Sequence, residues 1–409
     1  MTQPLRLDTK RLGRILPWMQ RYVKDRKYAG SSILIYENGH EKYHAATGLR
    51  DRERALPFER DSVVRLYSMT KPVTSVALMT LVEQGLCTLD MPVSDFLPEF
   101  TSPTALIKDA TRLDQSEPCA VPTLHQLLTH TSGLTYSFNP GLVSQEMGEE
   151  RLDFGPSDQT AAEICQKLAA LPLCFSPGQR WEYSVGIDVI GRVIEVISGR
   201  ALDRFFQDEI FAPLGMTQTG FQFQEAHKGR IASLYTPLEG NAMDINAQQK
   251  SDETLRLIDQ EADSSYWNTK TFSGGGGLVG TLDDYMRFAE CLRAGGTGER
   301  GRILSNSTLE FMMSNHLSGD IASMGPQSFA EQPMHGIGFG IGGAVVLDPA
   351  RSRTPGHIGD YSWGGMASTF FWVDPSSKLS VVFLTQLSPS SSYPSRAELK
   401  ALVHGALVR

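Results

Sequence analysis

Strand signals occupy the two ends of this 409-residue chain and leave its middle to helices. Gly30–Tyr36 and Glu41–Ala46 stand on either side of Asn38-Gly39, a dipeptide that tolerates the positive φ angles of a two-residue hairpin. Thr369–Val373 and Leu379–Thr385 flank Asp374-Pro375-Ser376-Ser377 in the same way, and Ala344–Leu347 reads as a further strand. A short extended segment is expected at Ser62–Leu66. Isolated hairpins are marginal in water. One sheet built from both ends of the chain, with a helical insertion, is therefore the economical arrangement. The length exceeds what one compact core normally reaches, so two subdomains are expected. Residues 1–85 and 271–409 would form an α/β unit with the sheet at its centre, and residues 86–270 a mostly helical one.

The helical readings rest on apolar periodicity. Leu12, Ile15, Leu16, Met19, Tyr22 and Val23 mark an amphipathic helix before the first strand, and Ala397–Val408 closes the chain as another. Between them, Leu124–Leu128, Thr160–Leu171, Ile187–Ser198, Leu202–Phe211 and Asp283–Ala294 read as helices, the last with Thr281 near its cap. Residues 221–270 are polar and loop-rich; a wall or lid over a cleft and a surface excursion fit them equally well.

Charge and composition exclude several partners. Lys and Arg number 38 against 46 Asp and Glu, a net charge of −8. A nucleic acid or an anionic membrane demands a basic face, so neither is expected. Residues 1–30 carry no signal-peptide core, and no apolar run is long enough to span a bilayer. The five cysteines form no Cys-x-x-Cys pair. Idle thiols in a reducing cytoplasm are the expected state.

Chemistry is concentrated at Ser68-Met69-Thr70-Lys71. A serine and a lysine three apart on a helix share a face. A serine hydroxyl becomes a good nucleophile when a base sits within hydrogen-bond reach. A lysine serves as that base where burial or nearby positive charge makes it give up its proton. Pro72 fits a first helical turn, so the helix starts near Ser68 and turns its positive end toward the hydroxyl. A surface helix with a capping serine would explain the four residues alone. However, Val73, Val76, Ala77, Leu78, Leu81 and Val82 cover more than one face up to Gly85. That marks a buried helix, at whose start a lysine is costly unless paired or functional.

Other segments carry weaker signals. Tyr183-Ser184-Val185 lies between the Ser176-Pro177-Gly178 turn and an apolar helix; Tyr183 is either a base placed in a cleft or an anchor of the turn. Trp363-Gly364-Gly365-Met366 precedes an apolar strand. Its glycines permit either a ligand's approach or a β-bulge, and its strand-edge N–H groups could hold an oxyanion. His130 ends a helix and is expected to be structural. Gly274–Gly277 lacks the Gly-Lys-Ser/Thr of a phosphate loop, so close backbone approach is the better explanation. There is no Gly-x-Ser-x-Gly elbow; His40-Glu41-Lys42-Tyr43-His44 has the His-Glu-x-x-His spacing but runs into the expected strand Glu41–Ala46 and not a helix, the context that motif needs. An α/β-hydrolase fold and a metal enzyme are therefore not expected.

Taken in order, Ser68-Met69-Thr70-Lys71, the Leu127–Leu134 run (LLTHTSGL), Pro177-Gly178 with Tyr183-Ser184, Ser273–Leu278 and Trp363-Gly364-Gly365 resemble the serine β-lactamase and penicillin-binding superfamily. The class C-related branch is the nearest, and within it the family VIII carboxylesterases; the likeness spans about residues 25 to 390. It implies a mixed α/β (α+β) fold with an antiparallel sheet flanked by terminal helices, a helical subdomain, and an active site in the cleft between them. It further implies that Ser68 is acylated, that Lys71 eases its deprotonation and shuttles the proton, and that Tyr183 is the general base. The backbone N–H groups of Ser68 and Met366 would form the oxyanion hole, with Trp363, Gly364 and Gly365 contacting substrate and with no cofactor or metal. The substrate would be a small ester with a short to medium acyl chain; oligomeric state is not readable.

Two departures from the pattern matter. Val185 replaces the asparagine of the usual Tyr-x-Asn box, and Trp363 replaces the lysine that opens the third box in β-lactamases. A substrate carboxylate would then lack its expected cation. His357-Ile358-Gly359 is a second way to read the third box; Trp363 is preferred because its distance to the Asp374-Pro375 turn suits one short strand. A β-lactamase or D-alanyl-D-alanine peptidase, an acyltransferase like the fungal polyketide enzymes of the superfamily, and a catalytically silent binder are the rival readings.

Overall fold

The computed structural model describes residues 6–245 and 255–408. An eight-stranded antiparallel sheet lies at its centre. Its strands are β1 (Gly30–Glu37), β2 (His40–Asp51), β3 (Leu56–Pro57), β4 (Ile337–Phe339), β5 (Ala344–Val346), β6 (Tyr361–Gly364), β7 (Phe370–Asp374) and β8 (Leu379–Thr385). In space they run β4-β5-β6-β7-β8-β1-β2-β3. The two ends of the chain therefore meet at the β8–β1 pair, where Leu379 faces Glu37 and Thr385 faces Ser31. The Asn38-Gly39 hairpin forms as expected, with φ values of 52° and 81°.

Both central strands are buried on two faces, and their side chains alternate between two cores. Ile33, Ile35, Val381 and Phe383 point into one core. Leu34, Val382 and Leu384 point into the other. The first core is closed by the terminal helices α1 (Ile15–Lys24) and, much later in the chain, Ser395–His404. Glu398 ties them together by accepting from Trp18 Nε1 at 2.6 Å and from the Tyr22 hydroxyl at 2.9 Å. The second core joins the sheet to α2 (Thr70–Glu83), α3 (Gly186–Ser198) and α4 (Leu282–Arg293). Residues 70–81 of α2 are all buried, as its two-faced apolar pattern requires. The last helix, Ser395–His404, is α5.

Several expectations need correction. β3, β4 and β6 have no counterpart in the sequence reading, because two to four residues are too few for a period of two to register. β2 runs on to Asp51, well past Ala46; there Thr47, Gly48 and Leu49 are half-buried while the polar Arg50 and Asp51 are buried, which hides the alternation. The closing helix starts at Ser395 and stops at His404, not at Val408. Leu407-Val408 instead pairs antiparallel with Arg6-Leu7. The N-terminal helix is split, since Thr9–Leu12 forms its own short helix capped by Asp8. In the 221–270 stretch, Leu234–Thr236 pairs with Arg256–Asp259, while residues 246–254 lie outside the described residues. No helix among the described residues is long and apolar enough to cross a membrane.

Candidate active site

Ser68 sits in a single 3-10 turn, Tyr67–Met69, that leads directly into α2. Tyr67 adopts a left-handed φ of 46°. For a bulky non-glycine residue this costs on the order of 1 kcal/mol or more, held in place by surrounding structure. Gly365 is packed so closely on the Leu66 carbonyl that no side chain would fit there. The turn is thus braced from the third box, and Ser68 is presented to a cavity of about 250 Å³.

Lys71 is completely buried one helical turn on. Its ammonium has three N–H bonds and three acceptors: the Gly275 carbonyl at 2.7 Å, the Tyr136 hydroxyl at 2.8 Å and, more loosely, Ser68 Oγ at 3.4 Å. The Tyr136 hydroxyl donates its own proton to Asp188 Oδ2 at 3.1 Å. Asp188 also accepts from Ser273 Oγ at 2.5 Å and from the Gly275 N–H at 2.8 Å. The buried cation is therefore balanced by a buried carboxylate through one phenol, which is the condition for keeping either charge out of water. Burial pushes the Asp188 carboxyl up and Lys71 pulls it back. The glycine run makes this possible: Asp188 fills the space a Cβ at Gly275 would need.

The Tyr183 hydroxyl donates to Ser68 Oγ at 2.6 Å. Its ring also lies 4.6 Å from Lys71 Nζ. Trp363 packs against Tyr183, with centroids 5.5 Å apart, and both line the cavity with Met366, Gly364 and Gly365. The motif residues Ser68, Lys71, Tyr183 and Trp363–Met366 are thus brought together. His357 is not among the cavity residues; of the two readings of the third box, only Trp363 reaches Ser68's cavity. Val185 is fully buried at the start of α3 and lines no part of the cavity. His130 is also fully buried. Its Nδ1 accepts from the Ser184 N–H at 3.3 Å, and its ring packs on Tyr183, 4.7 Å between centroids. Burial holds it well below its ordinary titration range. None of the five cysteines, all free thiols, lines the cavity.

A family model described as β-lactamase matches residues 17–405. The chain belongs to the β-lactamase family. It is 35% identical over 359 residues to protein Rv1367c of Mycobacterium tuberculosis, covering 86% of this chain and 84% of that one. It is 33% identical over 367 residues to esterase EstB of Burkholderia gladioli, covering 89% and 87%. Among solved structures it matches EstCE1, described as a hydrolase with promiscuous acyltransferase activity, at 28% identity and a TM-score of 0.78 over 97% of this chain and 99% of that one.

Within this β-lactamase-family cleft, three residues escaped sequence reasoning. Asp188 left a signal, a carboxylate in the first turn of an otherwise apolar helix. Tyr136 left a weaker one, two residues past the LLTHTSGL run. Arg396 left none, because it reaches the cavity from α5, at the far end of the chain. Its Nη2 would lie 2.6 Å from a Cβ at Gly364, so that glycine is what admits the guanidinium. Trp363 leaves the third box without its lysine, as expected, but Arg396 places a guanidinium at the cavity wall. Arg396 Nε lies 3.3 Å from Glu331 Oε1, yet neither carboxylate oxygen of Glu331 makes a hydrogen bond. Burial outweighs the guanidinium's attraction and pushes Glu331 up from 4.5 to about 8. Between those values the folded chain holds a proton that the unfolded chain has released. The contribution is fully present below about pH 4.5 and is lost as pH rises through about 8. Glu331→Gln should therefore remove a fall in stability on the order of a few kcal/mol over this range. Chemical denaturation at stepped pH checks it; an unchanged pH profile in the variant would refute the assignment.

Proposed function

We propose that this protein is a cofactor-independent carboxylesterase of the family VIII type, a serine hydrolase that works through an acyl-serine intermediate. The observation that carries the reading is the convergence of Lys71 and Tyr183 on Ser68 Oγ. The catalytic roles are Ser68 as nucleophile, Tyr183 as general base and Lys71 as the cation that stabilises their shared negative charge. Tyr183 reacts as the phenolate, its own proton released to solvent and its charge held beside Lys71; the Ser68 hydroxyl then donates to it, and that proton passes to Tyr183 as Oγ attacks the ester carbonyl. The backbone N–H groups of Ser68 and Met366 take the developing oxyanion. Tyr183 then returns the proton to the departing alcohol, and water, deprotonated by the same residue, releases the acid. The cleft lies between the sheet unit, residues 1–85 and 271–409, and the helical unit, residues 86–270.

The substrate class follows from the walls. Phe138, Phe154, Phe329 and Trp363 give the cavity an aromatic lining, suited to a neutral ester with a short to medium acyl chain. The likeness to esterase EstB supports ester cleavage. The promiscuous acyltransferase activity of EstCE1 keeps transfer of the acyl group to an alcohol as a second reading. Free thiols fit a cytoplasmic setting.

A cephalosporin brings a carboxylate that must be desolvated beside Trp363. Losing a charged hydrogen bond costs about 1.5–3 kcal/mol, roughly 10- to 100-fold in rate. We expect kcat/KM for p-nitrophenyl butyrate to exceed that for a chromogenic cephalosporin by about that factor, with Arg396 supporting the residual lactam turnover. Trp363→Lys should hurt the ester and spare or help the lactam. Equal efficiency on both substrates would promote the β-lactamase reading instead.

A further inference from the structure

We propose that His357, Asp374 and His404 form a binding site for one divalent transition-metal ion, best matched by zinc. The three come from separate elements. His357 lies in the turn before β6, Asp374 ends β7, and His404 is the last residue of α5. One donor atom from each lies within 4.8 Å of the others. Ligands bound at about 2.0–2.1 Å to tetrahedral zinc stand roughly 3.3 Å apart, so binding would draw the three side chains together by about 1 Å or more at the widest separation. Two imidazoles and a carboxylate with no thiolate suit zinc and its neighbours rather than calcium or magnesium.

Hydrogen bonding inside the protein satisfies only part of this cluster. His357 Nδ1 pairs with Asp374 Oδ2 at 2.7 Å, and Asp374 Oδ1 accepts from the Ser377 N–H at 3.0 Å, an arrangement that would orient the carboxylate as a ligand. His404 is different. Its side chain is 6% exposed, and its Nε2 is buried without a hydrogen-bond partner. Asp360 Oδ1 is buried and unpartnered as well, and Asp360 Oδ2 stands 3.8 Å from His404 Nε2. A buried polar atom left unpaired is costly, and native structures hold few of them. An ion held by the two imidazoles and the Asp374 carboxylate would give His404 the partner it lacks.

Charge and access agree. The two buried carboxylates Asp360 and Asp374 face one buried cation, Lys400, whose Nζ is 3.7 Å from Asp360 Oδ2. His357 and His404 line an open surface pocket that Arg353 also borders. None of the proposed ligands lines the Ser68 cavity. In the β6–β7 pair, Tyr361 faces Val373 at the metal end and Gly364 faces Phe370 at the cleft end. The ion would staple the C-terminal end of α5 to the sheet and take no part in ester cleavage.

The test uses the full chain dialysed against a strong chelator and titrated with zinc chloride by calorimetry. One equivalent should bind. His357→Gln and His404→Gln should each weaken it by about tenfold or more. Zinc should raise the melting temperature of the wild type, and p-nitrophenyl butyrate turnover should be the same with and without it. Cobalt(II) should give visible d–d bands without thiolate charge transfer, which excludes the cysteines and needs no variant. No stoichiometric binding, equal affinity in wild type and His357→Gln, or a thiolate band with cobalt would each overturn the proposal.

Discussion

Ser68→Ala should reduce ester hydrolysis to little more than the background rate, a loss on the order of 10⁴- to 10⁶-fold, because the covalent route has no other nucleophile. A fluorophosphonate probe should add its mass to the wild type at Ser68 and leave the variant unlabelled. The geometry favours this hydroxyl over its neighbour as the nucleophile. Ser273 also lines the cavity, but its hydroxyl donates at 2.5 Å to the buried carboxylate of Asp188. Ser68 Oγ instead lies within reach of Tyr183, which as the phenolate would take its proton, and of Lys71, whose charge would stabilise the product of that transfer. An adduct found by mass spectrometry on any other residue would end the assignment.

Lys71→Ala and Tyr183→Phe should each lower kcat by about 10²-fold or more, the size of a lost general base. Both act on the same oxygen, so the double variant should be little worse than either single one. Lys71→Ala carries a further consequence. It leaves Asp188 and Tyr136 buried without their cation, so its melting temperature should fall while that of Tyr183→Phe holds. Wild-type turnover in Tyr183→Phe would show that the base is another residue. His130→Ala is the control. It should lose stability, through the aromatic packing it removes, and retain turnover; a stable His130→Ala protein with collapsed kcat would overturn its structural role.

Much of this molecule is legible locally. Asn38-Gly39 and Asp374–Ser377 announce their hairpins because turn chemistry is set by adjacent residues. The two-faced apolar pattern of residues 73–82 announces a buried helix, and with it a lysine that must have partners. Leu379–Thr385 is recovered residue for residue, since a strand buried on both faces leaves an apolar run, here Val381–Leu384, in place of alternation. Short edge elements such as β3 and β4 leave no such trace; their pairing is set by strands remote in the chain.

Spacing along the chain is enough to single out Ser68, Lys71, Tyr183 and the Trp363 box as candidates for the chemistry, because each belongs to a short motif whose meaning lies in its own neighbours, and the fold brings them to one cavity. What surrounds them depends on the folded arrangement alone. Asp188 balances Lys71 through Tyr136 only because α3 packs beside α2 and the glycine run threads between them. Arg396 enters the cleft because α5 folds back on the sheet and Gly364 has no side chain to stop it. His357 and His404 meet Asp374 for the same reason. Such groups interact by Coulomb forces and hydrogen bonds that fade within a few ångströms, so their effect depends on positions that residues hundreds apart acquire only when the sheet closes the two ends of the chain together.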